Sequence, residues 1–519
     1  MSFSITCPYC FGVMKDNEVL FRSEKVNAGE CELLPDNFLD TADFIANYHE
    51  DDKDEILKGL KDWDFFLERE DEKYEEFWKK FVRTTEVNPA DEKLGITPYR
   101  RPILDPSVSE HCRFLKIQPD KSFFIRDSDG MVSGIELKTG EVCHRRVCKH
   151  CHNPLPAAYG KQPVKFATVV GITGAGKTVY ISQLLKNMPD YAANIGLTAV
   201  VNTANSRIFL DTNPIHPGMP LPDSTPEGYF QQPVFYQIVR ETGENDRVTE
   251  MFVLYDVAGE VFVNPDQISR YAPYIEHSDG IVMLLDPLQF KQIHQLNGEL
   301  QSLDETTAVL TAIHNIVSSG SSEQKCQIPI AVCISKVDLP EVQEVLGAKL
   351  CGMLKDDVYG VDSGDGFFLP IFNAERYNPI AKELSDFILH HERALAMQLR
   401  TNYSFYAFFA FTALGCEVGS GEKENGEPFK YPVGPILPKR IEEPIFWMFY
   451  RLGYIGTNEP VTTSAAAKIK CPVCGSEATS PLPAEEQIIK VRRFIWTEPI
   501  YVNRVCDNPD CRHKWEYIP

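Results

Sequence analysis

Eight consecutive residues, Gly171-Ile172-Thr173-Gly174-Ala175-Gly176-Lys177-Thr178, carry the types and spacing that hold a polyphosphate. They satisfy the pattern G-x-x-x-x-G-K-[ST] in full. Glycines let backbone N–H groups close around phosphate oxygens, and the first turn of a following helix adds the positive end of its dipole. The expected ligand contacts are therefore Thr173, Gly174, Ala175, Gly176, Lys177, Thr178 and Val179. Lys177 is expected to reach the β- and γ-phosphates, which gives it a catalytic as well as a binding role, and the Thr178 hydroxyl to hold Mg²⁺. The chemistry on offer is the binding of a nucleoside triphosphate.

A second chemistry lies in the cysteines. Cys7-Pro8-Tyr9-Cys10 and Cys148-Lys149-His150-Cys151 bracket one stretch, and Cys471-Pro472-Val473-Cys474 precedes Cys506-Asp507-Asn508-Pro509-Asp510-Cys511. Zn²⁺ sites of the ribbon type need two tight turns, each presenting two thiolates, to complete a tetrahedron. The set Cys471, Cys474, Cys506 and Cys511 resembles a zinc ribbon around a hairpin. The set Cys7, Cys10, Cys148 and Cys151 can close a second site across a long insertion, with His150, His152 and Cys143 as alternative ligands. Two Zn²⁺ sites are expected. A redox role fits poorly, because no thioredoxin-like βαβ pattern surrounds either pair. Cys333 and Cys416 sit among apolar strand residues and read as core.

These groups need elements to position them. Phe166–Val170 reads as a buried strand feeding the phosphate loop, and Val179–Lys186 has apolar residues at helical spacing. Further strand candidates are Val234–Val239, Glu250–Tyr255, Gly280–Leu285, Ile328–Ile334 and Phe405–Phe411, with helices between them such as Pro379–Arg400. That order predicts an α/β fold, a three-layer P-loop NTPase sandwich with a mainly parallel sheet. Val234–Val239 and Glu250–Tyr255 lie close enough to form an antiparallel hairpin, while the Pro/Gly-rich Pro214–Glu227 is a loop. Three blocks follow. Residues 1–162 form an N-terminal zinc module with an inserted acidic stretch, roughly Leu39 to Arg83, of two amphipathic helices or a docking surface for a basic partner. Within this block Ser122–Arg126 and Gly134–Leu137 form a hairpin through an Asp-Gly turn. Residues 163–456 form the nucleotide domain and 457–519 a C-terminal zinc ribbon, joined through Ser464-Ala-Ala-Ala467.

Three features behind the phosphate loop select the nucleotide, each at the end of a strand candidate, where a parallel sheet places ligands. Asp256-Val257-Ala258-Gly259 supplies a carboxylate for Mg²⁺ and, at Gly259, an N–H for a γ-phosphate. Ser335-Lys336-Val337-Asp338 supplies a carboxylate at Asp338 that can accept from guanine N1–H and its exocyclic amine, with the Lys336 stem along the base. Thr412-Ala413-Leu414 can present a backbone N–H to guanine O6. With these in place the central block resembles the P-loop GTPases of the TRAFAC class, and bacterial members with zinc ribbons in multi-gene regulatory or conflict systems. Ser335 departs from the family's Asn or Thr. The resemblance implies GTP/GDP and Mg²⁺ as ligands and a switch-I Thr that joins the Mg²⁺ and senses the γ-phosphate; Thr225 is the candidate and Thr212 its competitor. It also implies a water-positioning residue after D-x-x-G, where this chain has Glu260. A carboxylate there can accept from the attacking water but repels the γ-phosphate. Slow turnover is therefore expected, stimulated by a partner or by a second copy supplying an arginine. Asp286 reads as a helix cap before Pro287.

Composition narrows the partners. A formal charge of -22 over 519 residues argues against nucleic acid as the main partner. No apolar run is long enough to span a bilayer and the start lacks a signal-peptide pattern, so the reading is a cytoplasmic protein with no membrane insertion. The leading function is a GTP-dependent switch acting on a protein partner. The alternatives are a nucleotide-binding scaffold without useful hydrolysis and an ATP-dependent enzyme, the latter disfavoured by Asp338.

Overall fold

A computed structural model describes residues 3–23, 71–81, 102–138, 140–172, 174–201, 203–222, 232–241, 247–262, 264–290, 293, 304–318, 325–355, 360–363, 367–423, 426–461, 473–474, 479–481, 503–506 and 511–516. The chain divides into two compact units, Met1–Pro163 and Val164–Pro519. Residues 457–519 fall within the second.

The first unit is built from short antiparallel pieces. Strands β1 (Ser4–Thr6) and β2 (Val13–Lys15) pair with each other, and β3 (Leu20–Arg22) takes β4 (Ile103–Leu104) on one side and β8 (Arg146–Val147) on the other. Strands β5 (Phe124–Arg126), β6 (Val132–Glu136) and β7 (Val142–Cys143) make a second three-stranded sheet. Its first two strands are the hairpin expected from the Asp-Gly turn, with Gly130 at φ 83°. Of the acidic stretch, helix α1 (Glu72–Trp78) is described; it buries Tyr74, Phe77 and Trp78 and exposes most of its charged residues. The remainder of that stretch lies outside the described residues.

The second unit centres on a seven-stranded sheet. Its strands are β9 (Val164–Gly171), β10 (Thr198–Val200), β11 (Val234–Glu241), β12 (Arg247–Ala258), β13 (Gly280–Leu285), β14 (Ile330–Ile334) and β15 (Tyr406–Ala410), in spatial order β10-β11-β12-β9-β13-β14-β15. From β12 to β15 neighbouring strands run parallel; β11 pairs antiparallel with both β10 and β12. Side chains alternate between faces, as the period of two demands. Ala167, Val169, Val282, Leu284, Ala331, Cys333, Ala407 and Phe409 join one core with α2 (Lys177–Ala193), α7 (Ala374–His391) and α9 (Glu443–Arg451). On the other face Thr168 donates to the Tyr274 carbonyl and Tyr255 packs edge-on against Tyr274, so α4 (Pro265–Glu276) covers it. Helix α5 (Asp304–Val317) packs on α4, and α8 (Arg393–Asn402) on α5.

Helices α3 (Ala204–Thr212) and α6 (Pro340–Met353) also belong to this unit. One expected helix, Pro379–Arg400, is two: the chain breaks at Glu392, whose φ of -126° and ψ of 56° cannot continue a helix. Cys333 is wholly buried, whereas Cys416 is only half-buried, in the turn after β15. Strands β16 (Val418–Glu422) and β17 (Pro428–Pro432) form a hairpin beyond that turn. Near the C-terminus β18 (Thr479–Pro481), β19 (Asn503–Cys506) and β20 (Lys514–Glu516) form an antiparallel sheet. Among the described residues no helix is long and apolar enough to cross a membrane.

Candidate functional site

The parallel strands all deliver their C-terminal ends to one rim, and a cleft of ≈ 510 Å³ opens there. At one end it is lined by Gly174–Val179, the turn between β9 and α2. Gly174 and Gly176 take φ of 86° and 85°, a left-handed conformation that side chains resist, and Gly176 directly caps α2. The apolar face of α2 (Ile181, Leu184, Leu185, Met188) is almost fully buried, which fixes the helix N-terminus beneath the loop. Lys177 folds back over this turn, its ammonium donating to the Gly171 carbonyl at 2.6 Å and the Ile172 carbonyl at 3.3 Å. Burial pushes its pKa down, against the pull of Asp256 and Glu260.

Asp256 ends up beside Thr178 because β12 runs parallel to β9, which pairs Asp256 with Val169 and Ala258 with Gly171. The Thr178 hydroxyl donates to the Asp256 carboxylate at 3.4 Å. Gly259 begins a 3₁₀ turn (Gly259–Phe262) packed against the loop; a Cβ there would lie 3.2 Å from Gly171 C and O, too close for comfort. Glu260, in the same turn, is half-buried. Its carboxylate is close enough to act on Lys177.

The cleft is also lined by Ser335, Lys336, Asp338 and Leu339 after β14, and by Thr412, Ala413 and Leu414 after β15. Ser335 Oγ donates to the Leu285 carbonyl at 3.0 Å, pinning this turn to the end of β13. Lys336, at φ 55°, points its ammonium 2.9 Å from Asp286 Oδ2. Asp286 also accepts from the Leu288 N–H at 3.1 Å, the cap that Pro287 signalled, so one carboxylate anchors both turns. Thr412 spends its N–H on the Lys439 carbonyl at 3.2 Å, and its hydroxyl accepts from the Gly415 N–H at 3.0 Å.

The structure thus brings Gly174–Val179, Ser335, Lys336, Asp338 and Thr412–Leu414 to one cavity, with Asp256, Gly259 and Glu260 behind the loop. Thr173 and Thr225 lie outside the described residues. Thr212 ends α3, its hydroxyl bonded to the Ile208 carbonyl at 2.8 Å. Sequence reasoning missed Leu221, Pro222, Asp286 as a cleft residue, and Val418, Pro428, Phe429 and Lys430 of the β16–β17 hairpin. The dipeptide Asn425-Gly426, a strong hairpin signal, could have revealed the last group.

The second candidate site is in the first unit, where the sulfur atoms of Cys7, Cys10, Cys148 and Cys151 all lie within 4.8 Å of one another. The two C-x-x-C turns are near copies. Cys7 and Cys148 each accept at the carbonyl from the residue four on (Phe11, His152), and each donates its N–H to the carbonyl five on (Gly12, Asn153). In each, the first sulfur also accepts from the N–H two residues on, Tyr9 at 3.4 Å and His150 at 3.3 Å. Phe11 and His152 both adopt left-handed φ, 55° and 53°. Four buried or half-buried sulfurs at such spacing suit a tetrahedral soft cation, and two sets of backbone N–H donors favour thiolate. Burial pushes Cys7 and Cys151 up, while hydrogen bonds from the neighbouring thiols, Cys148 first, pull Cys10 down. A metal ion fits this donor set. The three alternative ligands have other contacts: Cys143 donates to the Arg22 carbonyl at 2.7 Å, His152 Nδ1 faces Asp71 at 2.8 Å, and His150 Nε2 lies 3.4 Å from the Val13 carbonyl. Of the C-terminal set, Cys474 is exposed and Cys511 half-buried; Cys471 and the Cys506 side chain lie outside the described residues.

Behind the second turn Asp71 ties Arg22 (2.6 Å) to His152 (2.8 Å), and Trp78 Nε1 donates to Asn153 at 3.0 Å. Burial pushes Asp71 up, but the His152 hydrogen bond and the Arg22 charge outweigh it and hold the carboxyl at about 2. A depressed folded pKa gives stability that is present above the ordinary carboxylate range and is lost as pH falls toward 2. Asp71→Asn should destabilise the first unit by about 3–5 kcal/mol at neutral pH, since it leaves Arg22 buried without its counter-charge. Urea titrations at stepped pH check this: the gap between variant and parent should narrow from about pH 4 downward.

Fold and sites define an α/β protein with a mixed sheet, a cleft at the strand C-termini and a four-cysteine cluster able to bind a metal. No protein-family model matches the chain. It is 25% identical over 335 residues to the Mycolicibacterium smegmatis protein named "Putative ESX-1 scaffolding and assembly protein SaeC", covering 60% of this chain and 80% of that one. Among solved structures it is similar to Sup35 complexed with GDP (12% identity, TM-score 0.20), spanning 49% of this chain and 38% of that one. Another is the signal recognition particle receptor SRb-GTP/SRX complex from Chaetomium thermophilum (14%, TM-score 0.23; 50% and 94%). A third is an Era variant from Aquifex aeolicus bound to GDP.AlF4- (11%, TM-score 0.21; 58% and 60%).

Proposed function

We propose that the cleft binds Mg²⁺-GTP and GDP and that the chain is a nucleotide-dependent switch acting on a protein partner, with slow hydrolysis that the partner stimulates. The observation that carries this is the joint lining of one cavity by a phosphate loop and by Ser335, Lys336, Asp338 and Thr412–Leu414. A triphosphate would lie against the Gly174–Val179 backbone and the α2 N-terminus, with Lys177 swinging from its loop carbonyls to phosphate oxygens. Thr178 and Asp256 would hold Mg²⁺, which neutralises phosphate charge when bound. Asp338 would accept from guanine, and the N–H groups of Ala413 and Leu414 would replace that of Thr412, which Lys439 occupies. Glu260 holds a negative charge near Lys177, where it opposes the charge of a γ-phosphate. Zinc at Cys7, Cys10, Cys148 and Cys151, and a second zinc at the C-terminal set, would serve as structural staples.

The test is a titration of GTP, GDP and ATP, with phosphate release followed alongside, on the parent chain and on Asp338→Ala. Guanine nucleotides should bind, and Asp338→Ala should weaken them by roughly 100-fold, the loss of two hydrogen bonds to a charged acceptor. Exclusive binding of ATP would sink the reading, and turnover at tens per second by the isolated chain would sink the slow-hydrolysis part. A second reading, a nucleotide-binding scaffold that does not turn over, is supported by Glu260 and by the name of the Mycolicibacterium smegmatis relative. Absence of phosphate release with any partner present favours it.

A further inference from the structure

Asp286 is a buried carboxylate in the wall of a cleft read as an anion site, where its charge works against the ligand. Its two oxygens have different neighbours. Oδ1 accepts from the Leu288 N–H at 3.1 Å, and this completes the local cap. Oδ2 is where the phosphate loop and the turn after β14 meet. On the side of Gly174 where a side chain would project, Oδ2 is the nearest atom, 3.5 Å from the position of a Cβ. The Lys336 ammonium donates to the same oxygen at 2.9 Å. Lys336 follows β14 with a φ of 55°, a conformation that a lysine keeps only where its surroundings hold it. Its methylene stem therefore runs from the β14 turn to the side of the phosphate loop, with both ends fixed. The Lys336 side chain keeps 29% of its surface open and that of Asp286 9%, so Lys336 is the member of the pair that a ligand meets first.

We propose that Asp286 is a positioning residue for the nucleoside: it tethers the Lys336 ammonium beside the phosphate loop, so that the stem forms a preset rest for the base, and it does so at some cost to phosphate affinity. The inference rests on the reading of the cleft given above. A free lysine loses rotamer freedom when a ligand packs on it; one tethered at both ends has lost that freedom beforehand. The tether also cancels charge. Paired with Asp286, the ammonium adds no net positive charge beside the loop, and that task falls to Lys177. Removing the carboxylate should therefore move the two halves of the ligand in opposite directions, which a general loosening of the fold cannot do.

Calorimetric titration of the full chain with GTP and with inorganic tripolyphosphate tests this. Asp286→Asn keeps an acceptor for the Leu288 N–H and removes the charge. It should bind tripolyphosphate about threefold more tightly and GTP about threefold more weakly, so that the ratio of the two affinities falls about tenfold. Lys336→Met leaves the carboxylate without its counter-charge and should instead weaken tripolyphosphate by about tenfold. The double variant leaves no buried charge and carries the test should a single variant fail to fold. Its GTP-to-tripolyphosphate ratio should stay about tenfold below that of the parent. If the parent binds no GTP, the reading of the cleft fails and this role with it. If the parent binds GTP but Asp286→Asn and the double variant both keep the ratio within twofold, the positioning role alone is overturned.

Discussion

Lys177→Ala is expected to lower GTP affinity by at least about 100-fold while leaving thermal unfolding within a few degrees of the parent. The side chain is 7% exposed, at the throat of the cleft, and its ammonium is held by carbonyls of its own loop. Those carbonyls already orient it, so little reorganisation is needed to pass it to a phosphate. Two unit charges about 4 Å apart attract by roughly 4 kcal/mol in the partly screened setting of a protein cleft. About 2.7 kcal/mol of that surviving desolvation and competition suffices for a 100-fold effect. Stability should change little for the opposite reason. Burial already disfavours the charged amine, so its removal also removes a desolvation cost. Calorimetric titration of both proteins decides it; an affinity within threefold of the parent would mean that the ligand does not use this loop.

Removing the metal from the first unit is expected to unfold that unit and leave the second standing. With Cys148→Ser, or with a strong chelator, protease sites between residues 1 and 163 should open while those of the sheet core stay closed, and mass spectrometry of the fragments locates them. Structural zinc contributes apparent folding energies of about 10–16 kcal/mol to small modules, more than short sheets of two- to five-residue strands can replace. Elemental analysis should give two zinc ions per parent chain and one for Cys148→Ser. Cys143→Ser serves as the control: its thiol donates to Arg22, so zinc content should not change. Retention of both zincs by Cys148→Ser would count against the four-cysteine assignment.

Much of this was legible in the residues, and the exceptions have physical causes. Strands buried on both faces are long apolar runs, so Gly280–Leu285 shows its limits in the sequence, and the other five candidates lie within three residues of theirs at either end. The phosphate loop and the cysteine pairs are local patterns, and local patterns survive being read one residue at a time. What could not be read depends on distant partners. Edge strand β10 has only three residues, and its pairing with β11 rather than its composition makes it a strand. Asp286 looked like a helix cap because that role is local; its pairing with Lys336 joins residues 50 positions apart. Phe11 and His152 hold a conformation that favours glycine, and nothing in their identity announces it. Lys430 and Phe429 line the cleft because of where β15 ends, which only the assembled sheet decides.

The near-identical cysteine turns carry one more consequence, which is a matter of chain statistics. Cys10 and Cys148 meet across 138 positions. The entropy lost on closing so long a loop grows only with the logarithm of its length, about 0.6 kcal/mol for each doubling. Once two self-contained turns, with the metal that their cysteines could hold, have met that cost, the number of residues strung between them scarcely matters to the closure. The length of chain between Ser23 and Pro102 can therefore change with little cost to that closure, provided Asp71 still reaches Arg22 and His152 and α1 keeps Tyr74, Phe77 and Trp78 buried. The metal cluster would then act as a fixed socket through which one framework accepts many different inserts.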